Sequence, residues 1–167
     1  HITIIPLEQY MAKTVIKLIR KYTKMGCDVI VLDTLKESSD SRDKESWKSL
    51  MTDCVDFYDN IKHTNTCMVI TYQLVKNKSK YLTNADIGIS KGILDIFSVN
   101  IFFRRPLQTE YEGCKDELYC YNPIKNSSSK VEFKLKKDEH YMIGFVSKNR
   151  FGMSDIQIVS KADFSIN

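Results

Sequence analysis

The sequence predicts an α/β protein with a mostly parallel sheet flanked by helices and with β-hairpins towards its C-terminus. Three observations carry this expectation. Short apolar runs of strand length stand at residues 2–5, 29–32 and 67–72. The segments between them are long and carry apolar residues at helical spacing, and strands joined that way pair in parallel through right-handed crossovers. The last third changes character, with two apolar runs facing each other across a glycine-containing turn.

Taken in order, residues 2–5 are a short apolar run closed by Pro6, which reads as a strand. Leu7, Met11, Val15, Leu18, Ile19, Tyr22 and Met25 then recur at helical spacing, and Gly26 supplies a C-terminal stop. Val29-Ile30-Val31-Leu32 is continuously apolar and β-branched in all but its last residue, the form of a strand buried on both faces. Residues 38–43 are a polar loop with several possible N-caps. A second amphipathic helix follows, with Trp47, Leu50, Met51, Cys54, Phe57, Tyr58 and Ile61 on one face. Residues 67–72 form the next buried strand. A basic loop, residues 76–80, leads through 83–92 to the apolar run 93–103. Residues 107–139 read as a β-hairpin insertion, with one apolar run at 118–121, an apolar–polar alternation at 131–135 and a mobile tip at 126–129. Residues 141–146 and 156–159 form two further strands joined at 150–154, with Gly152 as the turn residue. No internal repeat or domain boundary stands out.

Composition narrows the class. At 167 residues and 43% apolar, the chain has material for one sizeable core. The run 93–103 is interrupted by Asp95, Ser98 and Asn100 and falls short of the roughly 20 residues that span a bilayer. No secretory signal is visible. The chain starts at His1 and leads straight into an apolar run, as a segment of a longer polypeptide would. A net charge of +4 permits contact with nucleic acid without demanding it. The five cysteines include no CxxC pair, and no zinc-ligand spacing surrounds Cys114 and Cys120. Reduced, unliganded cysteines are expected, which points to the cytoplasm of a cell, whether the chain is cellular or phage-encoded.

Three segments carry candidate chemistry. Val29-Ile30-Val31-Leu32-Asp33 is a buried strand delivering a carboxylate at its C-terminal edge, where open α/β sheets bind ligands. Asp33 can hold a Mg²⁺ ion there through water, as in a Walker B strand; read alone, such an aspartate is more often a helix cap or turn residue. Met68-Val69-Ile70-Thr71-Tyr72-Gln73-Leu74 brings an amide, Gln73, to the same edge, where it can sense a γ-phosphate; read alone it is an ordinary polar strand end. Ser147-Lys148-Asn149-Arg150-Phe151-Gly152 places two cations on one face of an extended strand end. Such a pair can neutralise a phosphoryl group, the arginine acting as a finger in a neighbour's site; the plain alternative is a solvated basic hairpin end.

In their order and spacing these segments resemble the DnaB-like hexameric replicative helicases and the related phage primase-helicases. The family's apolar strand ending in Asp-x-Leu matches residues 30–35, and its Ser-Gln-Leu strand end matches Tyr72-Gln73-Leu74. Its Ser-Asp-Leu segment, followed by Ile and an apolar strand ending in Arg, matches Ala85-Asp86-Ile87, Ile93 and residues 99–105. Its Lys-x-Arg turn matches Lys148-Asn149-Arg150-Phe151-Gly152. The likeness spans nearly the whole chain apart from the 107–139 insertion.

The resemblance implies the C-terminal half of a RecA-like ATPase core, with ATP and Mg²⁺ as cofactors once a phosphate-binding half is present. It implies that Asp33 is the Walker B carboxylate and Gln73 the phosphate-sensing amide, and that Lys148 and Arg150 reach ATP on the adjacent subunit of a homo-hexamer. Lys76, Lys78, Lys80 and Lys91 fall in the family's DNA-loop region and would contact single-stranded DNA through its phosphates, adding salt sensitivity without reading sequence. A primase or a loader is an implied partner, and a membrane is not. Two departures stand out. The family's Asp-Leu-Arg-Glu-Ser-Gly reads Asp86-Ile87-Gly88-Ile89-Ser90-Lys91 here, and no GxxxxGK[ST] loop occurs in the 167 residues. This polypeptide alone is therefore expected not to hydrolyse ATP. A non-catalytic RecA-fold module for DNA binding or assembly is the alternative, favoured by the altered DNA-loop segment. A recombinase relative shares the strand that ends in Asp33 but suits the Lys-x-Arg hairpin less well.

Overall fold

A computed structural model describes residues 1–36, 46–74, 80–84, 91–120 and 133–163, the side chains of residues 46, 47 and 91 excepted. The chain is mixed α/β and, although no boundary is visible in its sequence, it divides into two compact units.

The first unit gathers the described residues of His1–Lys76 and Ile87–Ile96. Helix α1, Ala12–Lys24, buries Ala12, Val15 and Ile19, the i, i+3, i+7 stripe that its periodicity dictates. It begins at Ala12, not at the predicted Leu7. Met11 is extended and its carbonyl takes the N–H groups of Thr14 and Val15, so the first turn is capped by backbone alone. At the other end Gly26 donates to the Thr23 carbonyl and Cys27 to the Tyr22 carbonyl, the paired bonds of a Schellman cap. Gly26 has φ +78°, and a Cβ there would meet nothing within 4 Å. The cost of Gly26→Ala is therefore purely conformational, an expected loss of about 1–2 kcal/mol in urea unfolding.

Strands β1, Val29–Leu32, and β2, Cys67–Ile70, pair in parallel in the register Val29↔Cys67 to Leu32↔Ile70. Helix α2, Ser46–Ile61, connects them and buries Leu50, Cys54 and Phe57. The Arg20 Nε donates to Asn60 Oδ1 at 2.7 Å, tying α1 to the end of α2. Helix α3, Lys91–Ile96, adds buried Ile93 and Leu94 and packs on α2.

Two expectations change here. Residues 2–5 form no strand: they are irregular and exposed, Ile4 at 87%. An apolar run becomes a strand only when another strand takes its backbone groups, and among the described residues none does. The β1–β2 pair is not buried on both faces either. Ile30, Leu32, Met68 and Ile70 share the covered face, whereas Val29, Val31, Cys67 and Val69 are exposed, Val31 at 60%.

The second unit gathers the described residues of Asn77–Asp86 and Phe97–Asn167. Its main sheet has the order β3–β6–β7, from β3, Val99–Arg104, β6, His140–Asn149, and β7, Ile156–Ala162, and every pairing is antiparallel. The expected mostly parallel sheet is thus corrected. Among the described residues the only parallel pairing is β1–β2; in the larger sheet the short connection from β6 to β7 reverses the chain, and β3 also runs antiparallel to β6. A two-residue ladder joins β4, Tyr119–Cys120, to β5, Phe133–Lys134; residues 121–132, including the expected tip at 126–129, lie outside the described residues. The run 93–103 is not one element: α3 ends at Ile96 and β3 starts at Val99.

Phe102, Tyr141, Ile143 and Phe145 are buried in this unit with Leu118, Cys120 and Leu135. Beneath them Glu110, 1% exposed, receives the Arg104 guanidinium through both oxygens, at 2.6 and 2.8 Å. The β6–β7 turn takes its left-handed residue at Asp155, φ 58°, rather than at Gly152; a short polar side chain tolerates that region better than most. All five cysteines are free. Burial pushes the Cys54 thiol up to about 12, with the neighbouring Asp53 adding to it, and the Cys120 thiol up to about 11, so both are poor nucleophiles at neutral pH. No described helix is long and apolar enough to cross a membrane.

Candidate functional site

The C-terminal edge of the parallel pair is where the sequence concentrates its chemistry. The last ladder pair is Leu32↔Ile70, so the chains leave the sheet side by side at Asp33 and Thr71. They remain joined beyond the ladder. Thr71 N–H donates to the Leu32 carbonyl at 3.1 Å, and Leu35 N–H donates to the Thr71 carbonyl at 2.8 Å. The Thr34 hydroxyl donates to that same carbonyl at 2.9 Å. Asp33 stays exposed at this edge, and its Oδ1 accepts the Thr71 hydroxyl at 2.5 Å. Gln73 follows two residues later and is also exposed. Between them, burial raises the Tyr72 phenol to about 12, and its hydroxyl has no hydrogen-bond partner among the described residues. Tyr72 is therefore no acid at neutral pH.

The donor set suits a hard cation. The Asp33 carboxylate is the ligand type that Mg²⁺ takes, and Mg²⁺ commonly keeps several waters while using a single protein carboxylate. Among the described residues no group of three or more His, Cys, Asp or Glu side chains forms a metal cage. A water-mediated ion at Asp33 needs none.

The second cationic candidate lies in the other unit. Lys148 is the penultimate residue of β6, paired with Asn100, and Arg150 lies just past the strand, exposed, its N–H donating to the Ser98 carbonyl at 2.9 Å. The turn is braced by Asn149. Its Oδ1 accepts the Phe151 N–H at 3.0 Å and its Nδ2 donates to the Met153 carbonyl at 3.2 Å. Phe151, 83% exposed, stands beside Arg150 at the tip.

The DNA-loop lysines divide. Lys76 and Lys78 lie outside the described residues, as does the side chain of Lys91, which opens α3. Lys80 is part-buried and its ammonium donates to the Glu117 carbonyl at 2.7 Å, an anchor within the second unit. The residue that sequence reasoning missed is Thr71. A threonine at a strand end is unremarkable as a letter, and its place beside Asp33 follows only from the β1–β2 register. Compared with known proteins, the chain matches no family model and no curated protein.

Proposed function

We propose that the chain is the C-terminal half of the RecA-like ATPase core of a DnaB-like replicative helicase, a motor that translocates on single-stranded DNA and unwinds duplex. The observation that carries this reading is the parallel β1–β2 pair delivering Asp33 and, two residues past Thr71, Gln73 at one C-terminal edge. Nucleotides bind at that edge in open α/β sheets. In this role Asp33 holds a Mg²⁺ through water. Gln73 faces the γ-phosphate and relays its presence to the loop that follows. Lys148 and Arg150, on a braced hairpin end, supply positive charge to the nucleotide of an adjacent subunit. The Mg²⁺, when bound, neutralises phosphate charge; the phosphate-binding loop comes from outside these 167 residues.

The coding sequence upstream of His1 tests the reading. A strand followed by GxxxxGK[ST] supports it. A start codon directly before His1 with no such loop overturns it and leaves a RecA-fold module for DNA binding or assembly, the reading that the altered residues 86–91 favour. Where the loop is present, Asp33→Asn is expected to lower ATP turnover at least about 10²-fold, because it removes the charge that holds the ion. The measurement is steady-state ATPase at saturating Mg²⁺, and turnover within a few-fold of wild type would remove Asp33 from this role.

A further inference from the structure

We infer that the Thr71 hydroxyl is the positioning group that fixes Asp33 for a hard divalent cation. This rests on the reading of Asp33 as the carboxylate that holds a metal-bound water. An exposed aspartate rotates about two side-chain torsions, whereas Mg²⁺ accepts only near-ideal octahedral geometry. A carboxylate left to rotate would spend most of its time aimed away from the ion.

Thr71 removes that freedom. Its hydroxyl donates to Asp33 Oδ1 at 2.5 Å. The backbone of the donor is tied on both sides. Its N–H is bonded to Leu32, and its carbonyl accepts from both the Leu35 N–H and the Thr34 hydroxyl, so the residue is stitched to the strand that carries Asp33. A β-branched side chain adds a stiff χ1. With Oδ1 held by Thr71, Oδ2 is the oxygen presented to a metal-bound water. Partners that orient a metal ligand from behind typically change metal affinity by about 10–100-fold when removed.

The test uses the full-length polypeptide with its phosphate-binding half, ¹⁵N-labelled and bound to ADP, titrated with Mn²⁺, which shares the oxygen preference of Mg²⁺. Paramagnetic broadening of amides 32–35 and 71–73 is the readout. Wild type and Thr71→Ser, which keeps the hydroxyl, are expected to broaden at the same Mn²⁺ concentration. Thr71→Val keeps shape and strand propensity but not the donor, and is expected to need about tenfold more Mn²⁺. Asp33→Asn is expected to abolish the selective broadening. If Thr71→Val titrates like wild type while Asp33→Asn does not broaden, the Thr71 inference is overturned and the Asp33 reading survives. If Asp33→Asn broadens like wild type, the metal reading of Asp33 falls and takes the inference with it.

Discussion

Arg150→Ala in the full-length polypeptide is expected to lower ATP turnover by about 10³-fold or more while leaving nucleotide affinity within a few-fold of wild type. An arginine that enters the site only as charge develops on the transferred phosphoryl group contributes about 10³–10⁵ to turnover and little to ground-state binding. The structure bears on this through the hairpin end. Arg150 is exposed, yet its backbone is tied to Ser98, and the turn after it is cross-braced by Asn149. A guanidinium on such a support loses little freedom when it reaches a neighbour. Steady-state ATPase with a separate nucleotide-binding titration gives the answer. A mixing experiment sharpens it. Arg150→Ala subunits retain Asp33, and Asp33→Asn subunits retain Arg150, so co-assembled rings contain some complete sites and regain turnover if the arginine acts across a subunit boundary. Turnover near the wild-type value in Arg150→Ala alone would remove the finger assignment.

Glu110→Ala is expected to destabilise the second unit by about 3–5 kcal/mol, the cost of leaving one member of a buried ion pair without its partner. Glu110 is almost fully enclosed, and its carboxylate takes both terminal nitrogens of Arg104 and the Leu107 N–H at 2.8 Å. Arg104 also donates to the carbonyls of Arg105 and Lys80 and lies over the Phe145 ring, 5.3 Å from its centroid. Removing the carboxylate leaves a largely buried guanidinium without its counter-charge and orphans a backbone N–H at once. The pair joins the last residue of β3 to the short 3-10 turn Gln108–Glu110, so its loss is expected to expose both to exchange. Urea unfolding gives the magnitude, and hydrogen exchange at β3 and β6 amides gives the location. A loss below about 1 kcal/mol would place the pair in water, at odds with its burial.

Elements that are set by local rules were legible in the sequence. The α1 and α2 stripes followed from a 3.6-residue period, the end of α1 from Gly26, and the β6–β7 hairpin from two apolar runs across a short polar turn. Asp33 and Gln73 were legible as candidates because a strand end is a sequence position. What escaped depends on partners distant in sequence. Residues 2–5 have the letters of a strand but nothing to pair with among the described residues. The strand that ends the run 93–103 was matched at residues 99–105, but the helix Lys91–Ile96 was not, because so short a segment shows no clear period.

The sequence by itself thus determined α1, α2, β1, β2 and the β6–β7 hairpin, and which polar side chains stand at strand ends, because propensity, periodicity and glycine placement act within a few residues. Only the tertiary structure decided that the β1–β2 pair leaves Val31 and Val69 exposed, that the larger sheet is antiparallel, and that the chain forms two units. It alone set Thr71 against Asp33 and buried Arg104 on Glu110. The reason is that register, burial and hydrogen-bond partners are properties of pairs of residues, and Thr71 and Asp33 are 38 positions apart in the chain.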